Sequence, residues 1–488
     1  MTAAERIAHA VARSDAVAEV LTGAGVLRQA GALYLRHFGD GPACIVADDN
    51  TFAAAGAAVE AALQASGISV RRMILPGRPR LTPALDLAEA IRDRLAEDAA
   101  TPVVVGSGVL NDVVKHAAFA LGRPYLCVAT AASMDGYTSA GAPLSVRGFK
   151  KTIQCRPARA VLGDLDVLSG APCAMHGWGY GDLAGKVPAG ADWIVADALG
   201  IEPIDDVAWP MVQDPLRGWL SAPADVARGD RAAIEGLFTG LTLVGLAMEA
   251  HGSSRPASGA DHQIAHLWEM DGLSFAGERV SHGACVAVGT SMTLRMWDWL
   301  LAQDLARLDV AGLVARSPGA EARAQAVRAA FGAGEIAARA VEETAVKHVE
   351  GAALRDRLQR LVRGWPALRD RLAAQLVPAA VSLLGDFALA GKEPSEIGVP
   401  NRHLHADPPG VVANRAAPTR FWRRHATSSG WTGWKRNRRE HLADPLHSLT
   451  VPLSVRIVVA VTRSAHEVPV PGWRLVLPWL YEPFGLFL

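Results

Sequence analysis

The chain is short of cysteine, of net charge and of long apolar runs, and each shortage excludes something. Five cysteines (Cys44, Cys127, Cys155, Cys173, Cys285) are scattered over 488 residues without a Cys-x-x-Cys pair. That excludes a disulfide framework and predicts reduced thiols. Forty-nine basic residues balance forty-nine acidic ones, so no overall field draws the chain to nucleic acid or to a membrane surface. Residues 1–19 mix charge with alanine and lack the apolar core of a signal peptide. No uninterrupted apolar stretch reaches the ~18–20 residues needed to span a bilayer. The expectation is a soluble, cytoplasmic protein with no membrane insertion and no nucleic-acid partner.

What is present is an alternation. Short β-branched or apolar runs at 44–47, 68–75, 103–105 and 124–128 are separated by helical spacing at 52–65, 82–98 and 111–121. Strands alternating with helices of this length predict βαβ units and a parallel sheet. After about residue 168 the β-branched runs thin out. Helices are predicted at 231–251, 264–270, 286–302, 320–330, 334–348 and 353–376, and the proline-containing stretch 209–223 reads as a connection between them. At this length two or more domains are expected. Their boundaries are an α/β domain over 1–168, an all-helical domain over 169–400, and a separate segment over 401–488.

Two loops at the ends of predicted strands have the composition of a ligand-binding edge. Val-Val-Val at 103–105 breaks into Gly106-Ser107-Gly108 before a helix. Glycine lets backbone approach a pyrophosphate, whose charge the following helix N terminus can meet. The full GxGxxG pattern is absent, and a tight strand-to-helix turn is the simpler alternative. The next strand ends in Thr-Ala-Ala-Ser-Met-Asp-Gly-Tyr-Thr-Ser (130–139), rich in hydroxyls and carrying Asp135. In open α/β sheets, ligands gather at this edge.

Farther on stand Asp182 in Gly-Tyr-Gly-Asp, His262 in Ala-Asp-His-Gln-Ile-Ala-His and His282 in Ser-His-Gly. Two imidazoles and one carboxylate form a three-ligand set for a divalent metal with a coordination position left open, which is the catalytic rather than the structural pattern. His266, four residues after His262, shares its helix face.

These segments, together with Val-Ala-Asp-Asp-Asn-Thr (46–51), Gly-Phe-Lys-Lys-Thr (148–152), Gly-Asp-Leu-Ala-Gly-Lys (181–186), Ala-Asp-Trp (191–193) and Ser-Arg-Pro-Ala-Ser-Gly-Ala-Asp-His-Gln-Ile-Ala-His-Leu-Trp-Glu-Met (254–270), resemble the sn-glycerol-1-phosphate dehydrogenases. The likeness is to the bacterial branch, within the iron-containing alcohol dehydrogenase and dehydroquinate synthase-like superfamily. It runs over roughly residues 15–400. The resemblance implies a Rossmann-like N-terminal domain, an all-α C-terminal domain and an active site in the cleft between them. It implies Asp182, His262 and His282 as metal ligands, with zinc or nickel favoured and iron admitted. Asp135, Asp182 and His266 become substrate contacts, with His266 and Asp135 in catalysis. Asp48, Gly106, Ser107, Gly108, Val109, Leu110, Thr130, Ala131, Ala132, Ser133 and Ser139 become contacts to NAD or NADP. The substrate implied is a small phosphorylated triose, exchanged between dihydroxyacetone phosphate and sn-glycerol 1-phosphate, by a homodimer. Lys150, Lys151 and Lys186 are candidate phosphate anchors. The same superfamily also holds metal- and NAD-dependent sugar-phosphate cyclases, and a catalytically silent binding protein is the alternative from another class.

Beyond about residue 405 the resemblance fades. Residues 401–450 carry nine Lys/Arg against three Asp/Glu, with Trp422, Trp431 and Trp434 interleaved. Residues 451–488 match no family pattern, and a frame-shifted or lineage-specific end is one reading of this basic, tryptophan-rich segment.

Overall fold

The computed structural model describes residues 1–376 apart from 271, 276, 332 and 333. The segment 401–488 and the expected end of the helical domain at 377–400 lie outside the described residues.

Eight strands build the N-terminal part: β1 (Glu19–Gly23), β2 (Ala43–Asp48), β3 (Val70–Leu75), β4 (Thr101–Gly106), β5 (Leu126–Ala129), β6 (Gly141–Val146), β7 (Phe149–Gln154) and β8 (Ala160–Asp164). Six of them form one sheet in the order β1-β8-β5-β4-β2-β3, and every pairing in it is parallel. Side chains alternate between its two faces. Ile45, Ala47, Val103, Val105, Leu126 and Val128 pack on one side with Leu33, Tyr34, Val59 and Leu63. Cys44, Val46, Val104 and Cys127 pack on the other with Ile91, Leu95, Val113 and Val114. A parallel sheet covered on both faces needs apolar residues at every position, which is why these strands read as continuous runs.

Sequence periodicity captured β2 to β5 and their helices, Ala57–Ala65, Leu85–Leu95 and Gly108–Ala120. It missed β1, the antiparallel β6–β7 hairpin and β8. The partly buried β1 has no alternation to detect, and the hairpin is mixed in polarity because it borders a cleft.

Chain direction reverses at the middle of the sheet. From β2 the chain moves outward to β3, then returns to place β4 on the opposite side of β2 and β5 beyond it. A crevice therefore opens between the carboxyl ends of β2 and β4. Asp48 ends β2 and Gly106 ends β4.

After β8 the described elements are helical, apart from a two-residue hairpin of Ser274–Phe275 and Glu278–Arg279. Helices Cys173–Ala184, Lys186–Ala198, Arg231–His251, Ala260–Met270 and His282–Leu301 surround the cleft or support it. The expected connection at 209–223 is instead a helix, Ala208–Trp219, with Pro215 inside it. Proline removes one backbone hydrogen bond there. Burial of Val212 and Leu216 in the core outweighs that loss. Arg231–His251 is long and apolar enough by composition to cross a membrane, although Glu235 and Glu249 interrupt its apolar run, as expected from the sequence. Sixty-seven per cent of its most apolar window is buried inside the protein, as befits a core helix.

Candidate active site

A cleft of about 980 Å³ is bordered by the carboxyl ends of β2 and β4, the β6–β7 hairpin and the helices carrying His262 and His282. Close helix packing brings the separated motifs together here. A methyl group on Gly283 would lie 2.2 Å from the Trp178 carbonyl oxygen, and one on Gly181 would lie 2.6 Å from Ala287 Cβ. The glycines of Gly-Tyr-Gly-Asp and Ser-His-Gly thus let Cys173–Ala184 and His282–Leu301 touch backbone to backbone. Asp182 and His282 meet as a result. Ser281 caps the second helix through its hydroxyl, which accepts from Ala284 N, so His282 begins the first turn.

Ligand atoms of Asp182, His262 and His282 all lie within 4.8 Å of one another. Each histidine is tied at Nδ1 to a carboxylate: His262 to Asp261 Oδ2 at 2.7 Å and His282 to Glu269 Oε1 at 2.8 Å. Carboxylates only accept, so both Nδ1 atoms carry hydrogen, which leaves Nε2 as the ring atom that could bind an ion; in His262 it lies 3.4 Å from Asp182 Oδ1. That is the arrangement that orients metal-binding imidazoles, and the donor set fits a divalent ion of the zinc, nickel or iron kind.

Charge in the site is concentrated and nearly dry. Asp182 and Lys186 are fully buried. Lys186 Nζ lies 2.7 Å from Asp182 Oδ1 and 2.7 Å from Asp135 Oδ2. Burial pushes the Asp182 carboxyl up, but Lys186 and the His262 contact outweigh it and hold it well below the carboxylate range. Burial would lower Lys186, and its two carboxylates reverse that. His262 is likewise depressed by burial yet raised to about 9 by Asp261 and Asp182. His266 goes the other way: burial and the Lys150 charge push it far below its ordinary value, leaving a neutral imidazole. Its ring stacks on that of His282 at 5.6 Å and meets that of His262 edge-on at 6.2 Å.

Sequence-derived cofactor and substrate residues divide into those that border the cleft and those that do not. Asp48, Ser107, Gly108, Val109, Leu110, Thr130, Ser133, Asp135 and Ser139 line it. Asp48 also caps the next helical turn, accepting from Thr51 N at 2.8 Å. Ser107 is the N-cap of Gly108–Ala120 without a side-chain capping bond, so the first-turn N–H groups remain available to an anion. Gly106 ends β4 just behind them. Ala131 and Ala132 are buried instead; Ala131 O accepts from Tyr137 OH, and Ala132 O lies against Gly179.

The three candidate phosphate anchors separate in the same way. Strand alternation turns Lys150 and Thr152 into the cleft, while Lys151 is exposed outside its lining. Lys186, expected as a substrate contact and phosphate anchor, is fully buried and paired with Asp135 and Asp182.

Glu269, Asp261, Lys115 and Asp192 escaped sequence reading. Glu269 had a detectable signal, since residues 262, 266 and 269 fall on one helix face. Asp192 had none. Buried at 2 % exposure, it accepts from Ala260 N at 2.8 Å where the His262 helix begins. Burial lifts its carboxyl to about 7, with the Ala260 N–H opposing and Asp261 adding to the rise. The folded state therefore holds a proton that the unfolded chain, ionising near 3.8, releases earlier. Stability conferred by this group is lost as pH rises from about 4 through about 7. Asp192→Asn, which keeps an acceptor for Ala260, is expected to gain stability over the natural chain on going from pH 5 to pH 8. Urea titrations at the two pH values check this, and a pH-independent difference would refute it.

Residues 21–172 match the iron-containing alcohol dehydrogenase family. The chain is 37 % identical over 244 residues to glycerol-1-phosphate dehydrogenase [NAD(P)+] of Bacillus velezensis, covering 50 % of this chain and 62 % of that one. Against the enzyme of the same name from Geobacillus thermodenitrificans, identity is 34 % with coverages of 56 % and 69 %. For Thermofilum pendens the values are 32 %, 52 % and 72 %. The matches span about two thirds of the length of these relatives. In fold, the chain is similar to the crystal structure of glycerol dehydrogenase from Schizosaccharomyces pombe, with a TM-score of 0.50 and 19 % identity over 73 % of this chain and 91 % of that one.

Proposed function

The chain belongs to the glycerol-1-phosphate dehydrogenase family, and from that membership we propose that it interconverts dihydroxyacetone phosphate and sn-glycerol 1-phosphate, using NAD or NADP and one divalent metal ion. The observation that carries the reading is the convergence of Asp182, His262 and His282 beside an uncapped helix N terminus at the reversal point of the sheet. When bound, the ion supplies Lewis-acid polarisation and the dinucleotide supplies or receives the hydride.

The chain's own residues do the rest. Asp182, His262 and His282 hold the ion, zinc or nickel before iron. The Gly106–Leu110 turn receives the pyrophosphate, whose charge meets the N–H groups of the first helical turn. Asp48, Thr130, Ser133 and Ser139, which line the same cleft, would contact the rest of the dinucleotide. Asp135, held by Lys186, accepts a hydrogen bond from a substrate hydroxyl. His266, neutral at pH 7, moves the proton to or from the substrate oxygen. Action as a cytoplasmic homodimer belongs to the same reading and rests on the family resemblance.

The test is NADH or NADPH oxidation by metal-reconstituted protein on addition of dihydroxyacetone phosphate. A metal-dependent rate with either nucleotide is expected, and its ratio between the two sets cofactor preference. No rate from protein that retains its metal would overturn the proposed substrate.

A further inference from the structure

His262, His266 and Glu269 lie on one face of the Ala260–Met270 helix, and Glu269 faces two partners at once. Its Oε1 accepts from His282 Nδ1 at 2.8 Å. Its Oε2 is paired with the Lys150 ammonium, which itself lies 3.5 Å from His282 Nδ1. Lys150 comes from β7, on the hairpin that follows the sheet's central strands, whereas Glu269 and His282 belong to the helices across the cleft. Lys150 is 12 % and Glu269 16 % exposed at the side chain, so water screens the group poorly.

We propose that Glu269 is a positioning residue of the metal centre and that Lys150 acts on that centre through Glu269, from the opposite wall of the cleft. The inference rests on the metal-centre reading above. Glu269 fixes the His282 tautomer and its ring orientation, leaving Nε2 aimed at the ion. Lys150 has two opposed effects. Paired with Glu269, its charge is neutralised and it restrains the carboxylate. Without Glu269, an ammonium so close to a ligand repels a divalent ion. Coupling between the two residues therefore has a definite sign: loss of Glu269 is more damaging when Lys150 is present than when it is absent.

The experiment is a titration of the metal-stripped full chain with Zn²⁺ against a chromogenic chelator. The variants are Glu269→Ala, Glu269→Gln, Lys150→Met and the Lys150→Met/Glu269→Ala double change. Glu269→Ala is expected to bind zinc about 10–100-fold more weakly, and Glu269→Gln, which retains an acceptor, to lose less. Lys150→Met alone shifts affinity by under about threefold, because lost restraint and lost repulsion oppose each other. The double variant recovers at least about threefold over Glu269→Ala. Melting temperatures of the metal-free proteins stay together, separating positioning from a folding defect. Unchanged zinc affinity in Glu269→Ala overturns the role of Glu269. Strict additivity, with a raised KM for dihydroxyacetone phosphate in Lys150→Met, overturns the relay and makes Lys150 a substrate contact. A natural chain that takes up no zinc, nickel or iron overturns the metal centre itself and the inference with it.

Discussion

Asp182→Ala is expected to lose its metal on dialysis and to lower kcat/KM by at least about a thousandfold, equivalent to ~4 kcal/mol of transition-state stabilisation. Asp182 is the one anionic member of the proposed ligand set and is fully buried. Its carboxylate also accepts from Lys186 at 2.7 Å and from Asp135 N at 3.1 Å. Removal thus takes away a ligand and leaves the buried Lys186 charge with Asp135 alone. An enclosed ammonium with one of its two partners gone disfavours a second cation nearby. Asp182→Asn separates the effects: it preserves the shape and lacks the charge, so it should fold like the natural chain yet still lose metal. Elemental analysis after dialysis and steady-state nucleotide oxidation are the measurements. Full metal content together with near-normal kcat/KM in Asp182→Ala would remove this residue from the ligand set.

The second large effect concerns stability. Lys115→Met is expected to destabilise the protein by about 3–5 kcal/mol, the scale for breaking a buried ion pair from one side. Lys115 is completely buried on Gly108–Ala120, the helix that follows the Gly-Ser-Gly turn. Its ammonium reaches Gly136 O at 2.7 Å, Gly141 O at 2.8 Å, Ser139 Oγ at 3.3 Å and Asp112 Oδ1 at 3.4 Å. Methionine fills the space but removes the ammonium, leaving Gly136 O and Gly141 O with only the Asn111 Nδ2 and Ser139 Oγ donors and Asp112 without its counter-charge. Burial already pushes the Asp112 carboxyl up against the opposing pull of Lys115. Pairing Lys115→Met with Asp112→Asn should therefore recover part of the loss. The same contacts hold the 134–141 loop, which bears Asp135 and Ser139, so a raised substrate KM should accompany the lower melting temperature. Thermal denaturation of the single and double variants checks the effect, and an unchanged transition in Lys115→Met would refute it.

Both residues show how differently two buried charges register in a sequence. Asp182 stands in a recognisable segment, and its residue type announces metal chemistry once His262 and His282 are set beside it. Lys115 lies in Asp-Val-Val-Lys-His, where a lysine on a helix reads as solvent-exposed. Only folding reveals that the 134–141 loop closes over it. Asp261 falls between these cases, because it adjoins His262 yet a neighbouring carboxylate carries no direction until the helix start is known. The connection expected at 209–223 is a helix for a similar reason: proline acts on one backbone position, whereas burial of Val212 and Leu216 decides the outcome.

The sequence by itself determined the alternation of strands and helices, the change to helical structure near residue 168, the family resemblance and the residue types of the proposed metal-binding set. Those features are local: apolar periodicity, glycine-containing turns and short motifs act within a few residues of chain. Tertiary structure alone decided which polar groups share a low-dielectric space. It turned Lys186 from a candidate phosphate anchor into the enclosed partner of Asp135 and Asp182, set Glu269 and Asp261 behind the two histidines, and aimed Lys150 across the cleft. Such pairings depend on distances between segments remote in sequence, and on burial that strengthens each charge–charge contact, neither of which any local pattern encodes.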